Sequence, residues 1–335
     1  MSGRVLVLAA PFVRHEPEAS QPLADAGVQV VHGPLDHLLE PHELIEVLDG
    51  FHAVVASNEP YDERVFGALP RLRMVARWGV GYDSIDLQAA TEAGVIVTNT
   101  PGKVTQSVAD QTLCIMLALL RRLPEQLEVA RSLDWRNVEG TELWHKTLGI
   151  VGLGSIGRAV AERARGFTMR VVACDPREAE VAWEAGRLGV ELVGLEELLA
   201  EADIVTLHAN LTDESRGLIG EDELRAMKPT AFLINCGRGG LCDQAALARA
   251  LEEGWIAGAA LDTLEEEPPA ADDAILEAPN TIITPHNSSM TAESAARVNA
   301  TVCDNILAAL AGRRPRFVVN ERVFVEGPRP PVAEG

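Results

Sequence analysis

The sequence predicts an α/β fold with two doubly wound parallel-sheet domains, because two patterns run through nearly all of it. Short apolar segments alternate with helix-compatible stretches, which is typical of parallel strands joined by crossover helices. Two longer helical stretches, residues 104–123 and 291–311, divide the strands into two sets. We therefore expect two sheet domains joined by two long helices, with the active site in the cleft between the domains.

The first domain is expected to contain five strands and to be discontinuous in sequence. Its strand candidates are residues 5–9, 28–31, 53–56, 74–78 and 95–98, with helices near 35–49, 62–69 and 86–92. Residues 316–320 (Arg-Phe-Val-Val-Asn) return to an extended pattern after the second long helix, too late to belong to the second sheet. We therefore assign residues 1–103 plus 290–335 to a flavodoxin-like first domain.

The second domain, residues 104–289, is expected to contain six strands. These are residues 148–151, 171–174, 204–207, 232–235, 259–261 and 282–284. The long helix 104–123 opens the domain, and Thr105 or Ser107 is the expected cap because short hydroxyl side chains accept from free helical N–H groups. The Pro-rich residues after Gly327 are expected to be loose.

Composition narrows the class of protein. The net charge of −21 argues against nucleic-acid and anionic-membrane partners, since both require a basic surface. Five cysteines without a C-x-x-C pair indicate a reducing compartment and no disulfide framework. The longest apolar run, residues 113–120, is too short to span a bilayer, and no histidine spacing indicates a metal site. We expect a cytoplasmic, metal-free protein.

A glycine-rich turn opens the second sheet. Residues 147–158 read Thr-Leu-Gly-Ile-Val-Gly-Leu-Gly-Ser-Ile-Gly-Arg, an apolar strand followed by G-x-G-x-x-G and a helix. Gly152 permits the tight turn, Gly154 lets the backbone approach a pyrophosphate, and Gly157 allows close helix–strand packing. The helix N-terminus then binds the phosphates. The sequence therefore predicts a dinucleotide site on a Rossmann-like sheet.

Asp175 bears on the choice of dinucleotide. It follows the second strand of this sheet, where a carboxylate can hydrogen-bond the adenosine ribose diol and would repel a 2′-phosphate. This position favours NAD over NADP. Arg177 leaves the alternative open, because a nearby Arg can accept that phosphate.

Three residues at or beyond strand ends have side chains suited to carbonyl chemistry. Arg238, between glycines after the strand 232–235, can hold a carboxylate in two parallel hydrogen bonds. His286 follows the last strand, and Glu267 precedes two prolines. A carboxylate can orient an imidazole and favour its protonated form, ready to protonate a carbonyl oxygen.

With these residues in view, the chain resembles the D-isomer-specific 2-hydroxyacid dehydrogenases over nearly all of its length. The matching segments are 77–86 (Arg-Trp-Gly-Val-Gly-Tyr-Asp-Ser-Ile-Asp), 99–102, 107–110, 147–175, 235–241 (Asn-Cys-Gly-Arg-Gly-Gly-Leu), 258–262, 267–268 and 284–286 (Thr-Pro-His). The resemblance implies that Arg238 binds the substrate carboxylate and carbonyl, that His286 is the general acid/base, and that Glu267 pairs with it.

The resemblance also implies the remaining site residues and the assembly. Backbone amides near Val80 and Gly81 would bind the substrate carboxylate, while loops from Ser57 and Val80 would set side-chain specificity. The residues implied to line the cofactor are Val80, Gly152, Gly154, Ser155, Ile156, Gly157, Asp175, Ala209, Cys236, Arg238, Asp262, His286, Asn287, Ser288 and Ser289. Cys236 is interpreted as a packing residue, since it lacks a base of its own. A homodimer joined through the Rossmann domains is expected.

Two departures from the family's phosphoglycerate branch disfavour a phosphorylated substrate. Ala56 stands before Ser57 where that branch carries an Arg, and Asn137 replaces a second basic residue after Trp135. The predicted function is NAD-dependent interconversion of a small 2-keto acid and its D-2-hydroxy acid. Three alternatives stay open: an NADH-sensing protein similar to the C-terminal-binding-protein corepressors, a dehydrogenase of another small anion such as formate or phosphite, and a phosphoglycerate dehydrogenase.

Overall fold

The structure, a computed structural model, describes residues 3–327. The expectation that the Pro-rich residues after Gly327 are loose therefore concerns residues outside the described part. The described residues separate into two compact units, one running to Val104 and resuming at Met290, the other comprising Thr105–Ser289. Among residues 3–327, no helix is both long and apolar enough to cross a membrane.

The first unit contains a five-stranded parallel sheet. Its strands are β1 (Arg4–Val7), β2 (Gln29–His32), β3 (Ala53–Ala56), β4 (Met74–Arg77) and β5 (Ile96–Thr98), in the order β2-β1-β3-β4-β5. Every residue of β3, β4 and β5 is buried, as expected for parallel strands covered on both faces. Leu6, Val54 and Val75 from neighbouring strands pack into one apolar core.

The first-unit helices differ in part from the prediction. They are α1 (Ala10–Val13), α2 (Gln21–Asp25), α3 (Pro41–Leu48), α4 (Glu63–Ala68) and α5 (Leu87–Glu92). The sequence reading missed α1 and α2, which each carry a proline in the first turn, where it is tolerated. The predicted start of the third helix at residue 35 is wrong, because Glu40 and Glu43 form a capping box that begins α3 at Pro41.

The second unit opens with a helix that is shorter than predicted. It runs as α6 (Thr105–Leu120), and α7 (Leu123–Arg131) follows as a separate helix. The predicted end at residue 123 is wrong because Arg122 adopts a left-handed conformation, φ 51°, which interrupts the helix. The predicted cap is also wrong, since Thr105 and Ser107 both lie inside α6.

A seven-stranded parallel sheet forms the core of this unit. Its strands are β6 (Thr147–Val151), β7 (Arg170–Cys174), β8 (Glu191–Leu192), β9 (Ile204–Leu207), β10 (Phe232–Asn235), β11 (Gly258–Leu261) and β12 (Thr281–Ile283), in the order β12-β11-β10-β9-β6-β7-β8. The prediction of six strands missed β8, whose two residues give no apolar run. The predicted fold class, two doubly wound parallel-sheet α/β units, is confirmed.

Five further helices complete the second unit. They are α8 (Ser155–Gly166), α9 (Glu178–Leu188), α10 (Leu195–Glu201), α11 (Glu221–Ala226) and α12 (Gln244–Glu252). From β6 the chain runs outward through β7 to β8 and then returns to place β9 on the other side of β6, so the strand order reverses between β6 and β9. Ligands of open α/β sheets bind at this position, outside the carboxyl ends of the strands.

The chain then returns to the first unit. Thr291 caps α13 (Ala292–Leu310) by accepting a hydrogen bond from the N–H of Ser294 at 3.1 Å, and a short helix α14 (Val323–Glu326) follows later. Between them, the N–H of Val319 donates to the carbonyl of Val97 at 2.9 Å. The segment 316–320, in which Val318 forms an isolated bridge to Thr98 and Phe317 has a left-handed conformation, therefore lies beside β5 of the first sheet.

Candidate active site

The glycine-rich turn after β6 has the geometry that a dinucleotide requires. Gly152 has φ +94°, and a Cβ there would lie 2.7 Å from the backbone N of Ala209. A Cβ on Gly157 would lie 2.1 Å from the carbonyl oxygen of Gly152, whereas Gly154 faces open space. Ser155 and Ile156 form the first turn of α8, so their N–H groups lack helical partners. The turn therefore fits a bound pyrophosphate.

Asp175 closes this turn from the next strand. Its Oδ2 accepts a hydrogen bond from the N–H of Leu153 at 2.9 Å, and its Oδ1 accepts one from the N–H of Arg177 at 2.9 Å. The Arg177 guanidinium pairs with the same carboxylate at 3.2 Å. Burial raises the pKa of Asp175, but the hydrogen bonds from Arg177 and Leu153 outweigh it and leave the pKa below its ordinary value. A fixed negative charge thus lies beside the phosphate-binding turn.

His208 lies beneath the same turn and was missed by the sequence reading. It directly follows β9, and its carbonyl oxygen lies where a Cβ on Gly152 would meet it at 2.8 Å. Burial lowers the pKa of His208 to about 3, so the ring is neutral at physiological pH. Its Nε2 lies 2.9 Å from the hydroxyl of Thr206. His208 therefore supports the turn and Ala209 as an uncharged packing group.

Glu267 and His286 form a hydrogen-bonded pair. The Nδ1 of His286 lies 2.7 Å from Oε2 of Glu267, while Oε1 of Glu267 accepts a bond from the N–H of Leu264 at 3.0 Å. Burial raises the pKa of Glu267, but its contacts with His286, the Leu264 N–H and the charge of Arg238 together lower the pKa below the ordinary value. The carboxylate is thereby kept ionised opposite the imidazole.

Asp262 holds the loop that carries His286. Its backbone carbonyl accepts from the N–H of His286 at 2.9 Å, and its carboxylate accepts from the N–H groups of Asn287 at 2.9 Å and Ser288 at 2.8 Å. The hydroxyl of Thr284 donates to the same carboxylate. These bonds maintain His286 in a left-handed conformation, φ 50°, which non-glycine residues seldom adopt.

Arg238 lies on a loop that is hydrogen-bonded to the end of β10 and packs against the turn after β11. The side chain of Asn235 accepts from the N–H of Gly237 at 3.0 Å and donates to the carbonyl of Arg238 at 2.9 Å. A Cβ on Gly239 would lie 2.0 Å from the carbonyl carbon of Leu264. The Arg238 loop therefore packs directly against the turn that holds Glu267.

Cys236, on the same strand end, is 7% exposed. Burial raises the pKa of its thiol to about 12, so the group is protonated at physiological pH. The nucleophilic form of cysteine is the thiolate, and this environment disfavours it. These observations favour the packing role that the sequence suggested. Ser289, which is also expected to line the cofactor, is the last residue of the second unit.

The predicted substrate residues of the first unit lie at the carboxyl edge of its sheet. Ser57 follows β3, and its N–H donates to Oε2 of Glu59 at 2.8 Å. Val80 and Gly81 follow β4, and the carbonyl of Val80 accepts from the side chain of Asn99 at 2.7 Å. These loops leave neighbouring parallel strands, so Ser57 and Val80 belong to one edge.

The chain is similar to proteins of one family. The sequence model for the NAD-binding domain of D-isomer specific 2-hydroxyacid dehydrogenases matches residues 113–288. A glyoxylate reductase of Korarchaeum cryptofilum is 44% identical over 79% of this chain and 81% of the relative. The family resemblance that the sequence motifs indicated is confirmed.

Two solved structures show the same similarity. The crystal structure of a glyoxylate reductase from Paecilomyes thermophila superposes with a TM-score of 0.82 at 30% identity, covering 96% of this chain and 99% of that one. An NADPH-dependent glyoxylate/hydroxypyruvate reductase of Sinorhizobium meliloti, solved with NADP and malonate, gives 0.80 at 28% identity, with 95% and 96% covered. This chain therefore belongs to the D-isomer specific 2-hydroxyacid dehydrogenases, nicotinamide-dependent oxidoreductases that interconvert small 2-keto acids and D-2-hydroxy acids.

Proposed function

We propose that this enzyme reduces a small, non-phosphorylated 2-keto acid, with glyoxylate as the first candidate, and that NADH is its cofactor. The observation that carries the proposal is the 2.7 Å Glu267–His286 pair, placed beside Arg238 in the unit that holds the glycine turn. The relatives named above as glyoxylate reductases support the choice of substrate.

The proposed chemistry divides between cofactor and protein. A dinucleotide held through its pyrophosphate at the glycine turn would supply, from its reduced nicotinamide, the hydride that reduces the carbonyl carbon. His286 supplies the proton: Nδ1 is bonded to Glu267, which leaves Nε2 for the carbonyl oxygen. Glu267 orients the imidazole through Nδ1, and the proton that His286 gives up in each turnover is regained from solvent.

Carboxylate recognition is assigned to Arg238 and to backbone amides of the first unit. The planar guanidinium of Arg238 matches a carboxylate in two parallel hydrogen bonds, which orients the adjacent carbonyl. The N–H groups of Val80 and Gly81, with Ser57 on the neighbouring loop, are proposed as further carboxylate-binding groups. A substrate that lacks a carboxylate would lose these contacts together.

A substrate panel tests the proposal. NADH oxidation is followed by absorbance with glyoxylate, pyruvate, hydroxypyruvate, 2-ketoisocaproate, phenylpyruvate and 3-phosphohydroxypyruvate, and chiral analysis of the product identifies the hydroxy acid. Glyoxylate or another small non-phosphorylated acid should give the highest kcat/KM. The proposal is wrong if 3-phosphohydroxypyruvate is preferred, or if NADH binds and no keto acid is turned over.

NADH selectivity is proposed to depend on Asp175. Replacing Asp175 with Ala removes the buried carboxylate and leaves Arg177 without its ion-pair partner, so NADPH binding should improve relative to NADH by about tenfold or more. The measurement is a fluorescence titration of each reduced cofactor, without substrate. Glu196→Ala, which removes an exposed acid of α10, is the control. Equal changes in both affinities would show that Asp175 does not select the cofactor.

We also propose that the protein is a homodimer that buries the segment 123–144. This segment exposes five large apolar side chains: Leu123, Leu127, Leu133, Trp135 and Trp144. Several large apolar side chains exposed within one segment are typical of protein–protein contacts. Replacing Leu133 and Trp135 together with Asp should convert the dimer into a monomer in sedimentation velocity. Trp183→Asp, at an equally exposed Trp on α9, should leave the dimer intact. A monomeric wild type would refute this proposal.

A further inference from the structure

Two charged side chains are buried at the carboxyl edge of the first sheet. Glu59 is 4% exposed and Arg77 is 8% exposed. Glu and Arg are seldom buried unless they interact with one another or with polar partners, because desolvating a charge costs free energy. Their burial next to Ser57 indicates a built feature of the substrate-binding edge.

Hydrogen bonds fix the position of the Arg77 guanidinium. Arg77 ends β4, and its guanidinium donates to the side-chain oxygen of Asn58 and to the carbonyl of Trp78. It lies against Gly79, where a Cβ would approach Nη1 at 3.1 Å. The guanidinium thus lies behind the turn that leads to Val80.

Glu59 adds the opposite charge on the neighbouring loop. Its Oε2 accepts the bond from the Ser57 N–H, and its carboxyl interacts electrostatically with Arg77. Burial raises the pKa of Glu59 above its ordinary value, although the bond from the Ser57 N–H and the positive charge of Arg77 act in the opposite direction. Tyr61 is fully buried nearby; burial raises the pKa of its hydroxyl, the charge of Glu59 raises it further, and the charge of Arg77 lowers it. Glu59 and Arg77 are therefore buried charges of opposite sign that interact at one edge of the first sheet.

We propose that Glu59 is a specificity-determining residue: its carboxylate offsets the Arg77 charge beside Ser57 and repels a second anionic group on a 2-keto acid. This inference rests on the proposed function. Without Glu59, Arg77 would attract a distal carboxylate or phosphate. With it, the edge favours monoanionic acids such as glyoxylate and pyruvate over oxaloacetate and 3-phosphohydroxypyruvate.

Steady-state kinetics test whether Glu59 and Arg77 together disfavour keto acids with a second anionic group. The quantity to compare is kcat/KM for oxaloacetate divided by kcat/KM for pyruvate. In the wild type this ratio should be about one tenth or less, because like charges in a poorly solvated site repel strongly. In Glu59→Gln the ratio should rise roughly tenfold. Glu63→Gln, which neutralises an exposed acid at the start of α4, is the matched control and should leave the ratio unchanged.

A second variant separates electrostatics from packing. In the double variant Glu59→Gln with Arg77→Met, the positive charge is absent, so the tenfold gain should disappear.

A binding measurement is independent of turnover: inorganic phosphate should raise the Tm of Glu59→Gln by about 2 °C more than that of the wild type. This measurement stays informative even if no keto acid in the panel is reduced, so it distinguishes failure here from failure of the proposed function.

Three results would overturn the proposal. The first is a wild type that reduces oxaloacetate as efficiently as pyruvate, which is decisive even if the variants do not fold. The second is a folded Glu59→Gln enzyme whose ratio and phosphate response match the wild type. The third is a gain that survives in the double variant, because it would not arise from Arg77.

Discussion

Replacing His286 with Ala is expected to lower kcat for keto-acid reduction by roughly 10²–10⁴, the usual contribution of a positioned proton donor. The side chain that lies 2.7 Å from Glu267 would be lost, and no proton would be delivered to the carbonyl oxygen. NADH affinity should change little, because the glycine turn and Asp175 are unaffected. Single-turnover kinetics with bound NADH measure the step directly.

Two further variants, one at Glu267 and one control at His42, test the role of His286. Glu267→Gln keeps the shape of the side chain but removes its charge, so kcat should fall while KM for the keto acid stays near the wild-type value. His42→Ala removes an exposed histidine of the first unit and should leave kcat unchanged. If His286→Ala turns over at a near-wild-type rate, another group is the proton donor.

Replacing Gly239 with Ala is expected to lower the free energy of unfolding by about 1–3 kcal/mol and to reduce kcat/KM severely. The new Cβ would lie 2.0 Å from the carbonyl carbon and oxygen of Leu264, so backbone would have to move. The displaced segments carry Arg238 on one side and Glu267 on the other. Urea denaturation and steady-state kinetics measure the two effects.

Gly186 provides a matched control for this substitution. It lies within α9, and a Cβ there would meet no atom within 4 Å. Gly186→Ala should therefore preserve activity and raise stability by roughly 0.5–1 kcal/mol, the usual gain of Ala over Gly in a helix interior. Wild-type stability and activity in Gly239→Ala would show that the Leu264 backbone yields without displacing Arg238.

Most of the fold could be predicted because parallel strands buried on both faces are continuous apolar runs. The strands Ala53–Ala56, Ile204–Leu207 and Phe232–Asn235 have the predicted bounds. The wrong or missing elements are those whose bounds depend on local backbone conformation or on very few residues. Arg122 breaks a helix whose apolar pattern continues, and Glu191–Leu192 is too short to give a pattern.

The candidate site was predictable where side-chain chemistry is visible in the sequence. Arg238 and His286 stand out because they follow apolar strands among glycine, proline and small polar residues. The sequence analysis does not single out Glu59, because its burial follows from packing that no local pattern reveals. The signal that could have found it is Arg77, a charge ending an otherwise apolar strand.

The attachment of the segment 316–320 has a consequence for the order of folding. The side chain of Asn320 accepts from the N–H of Val97 at 2.9 Å and donates to the carbonyl of Val95 at 2.9 Å, contacts that span more than two hundred residues of sequence. Long-range contacts form slowly, since the intervening chain must first be ordered. During synthesis, Thr105–Ser289 can complete its own sheet early, whereas the unit that begins the chain gains these contacts only after Asn320 has emerged.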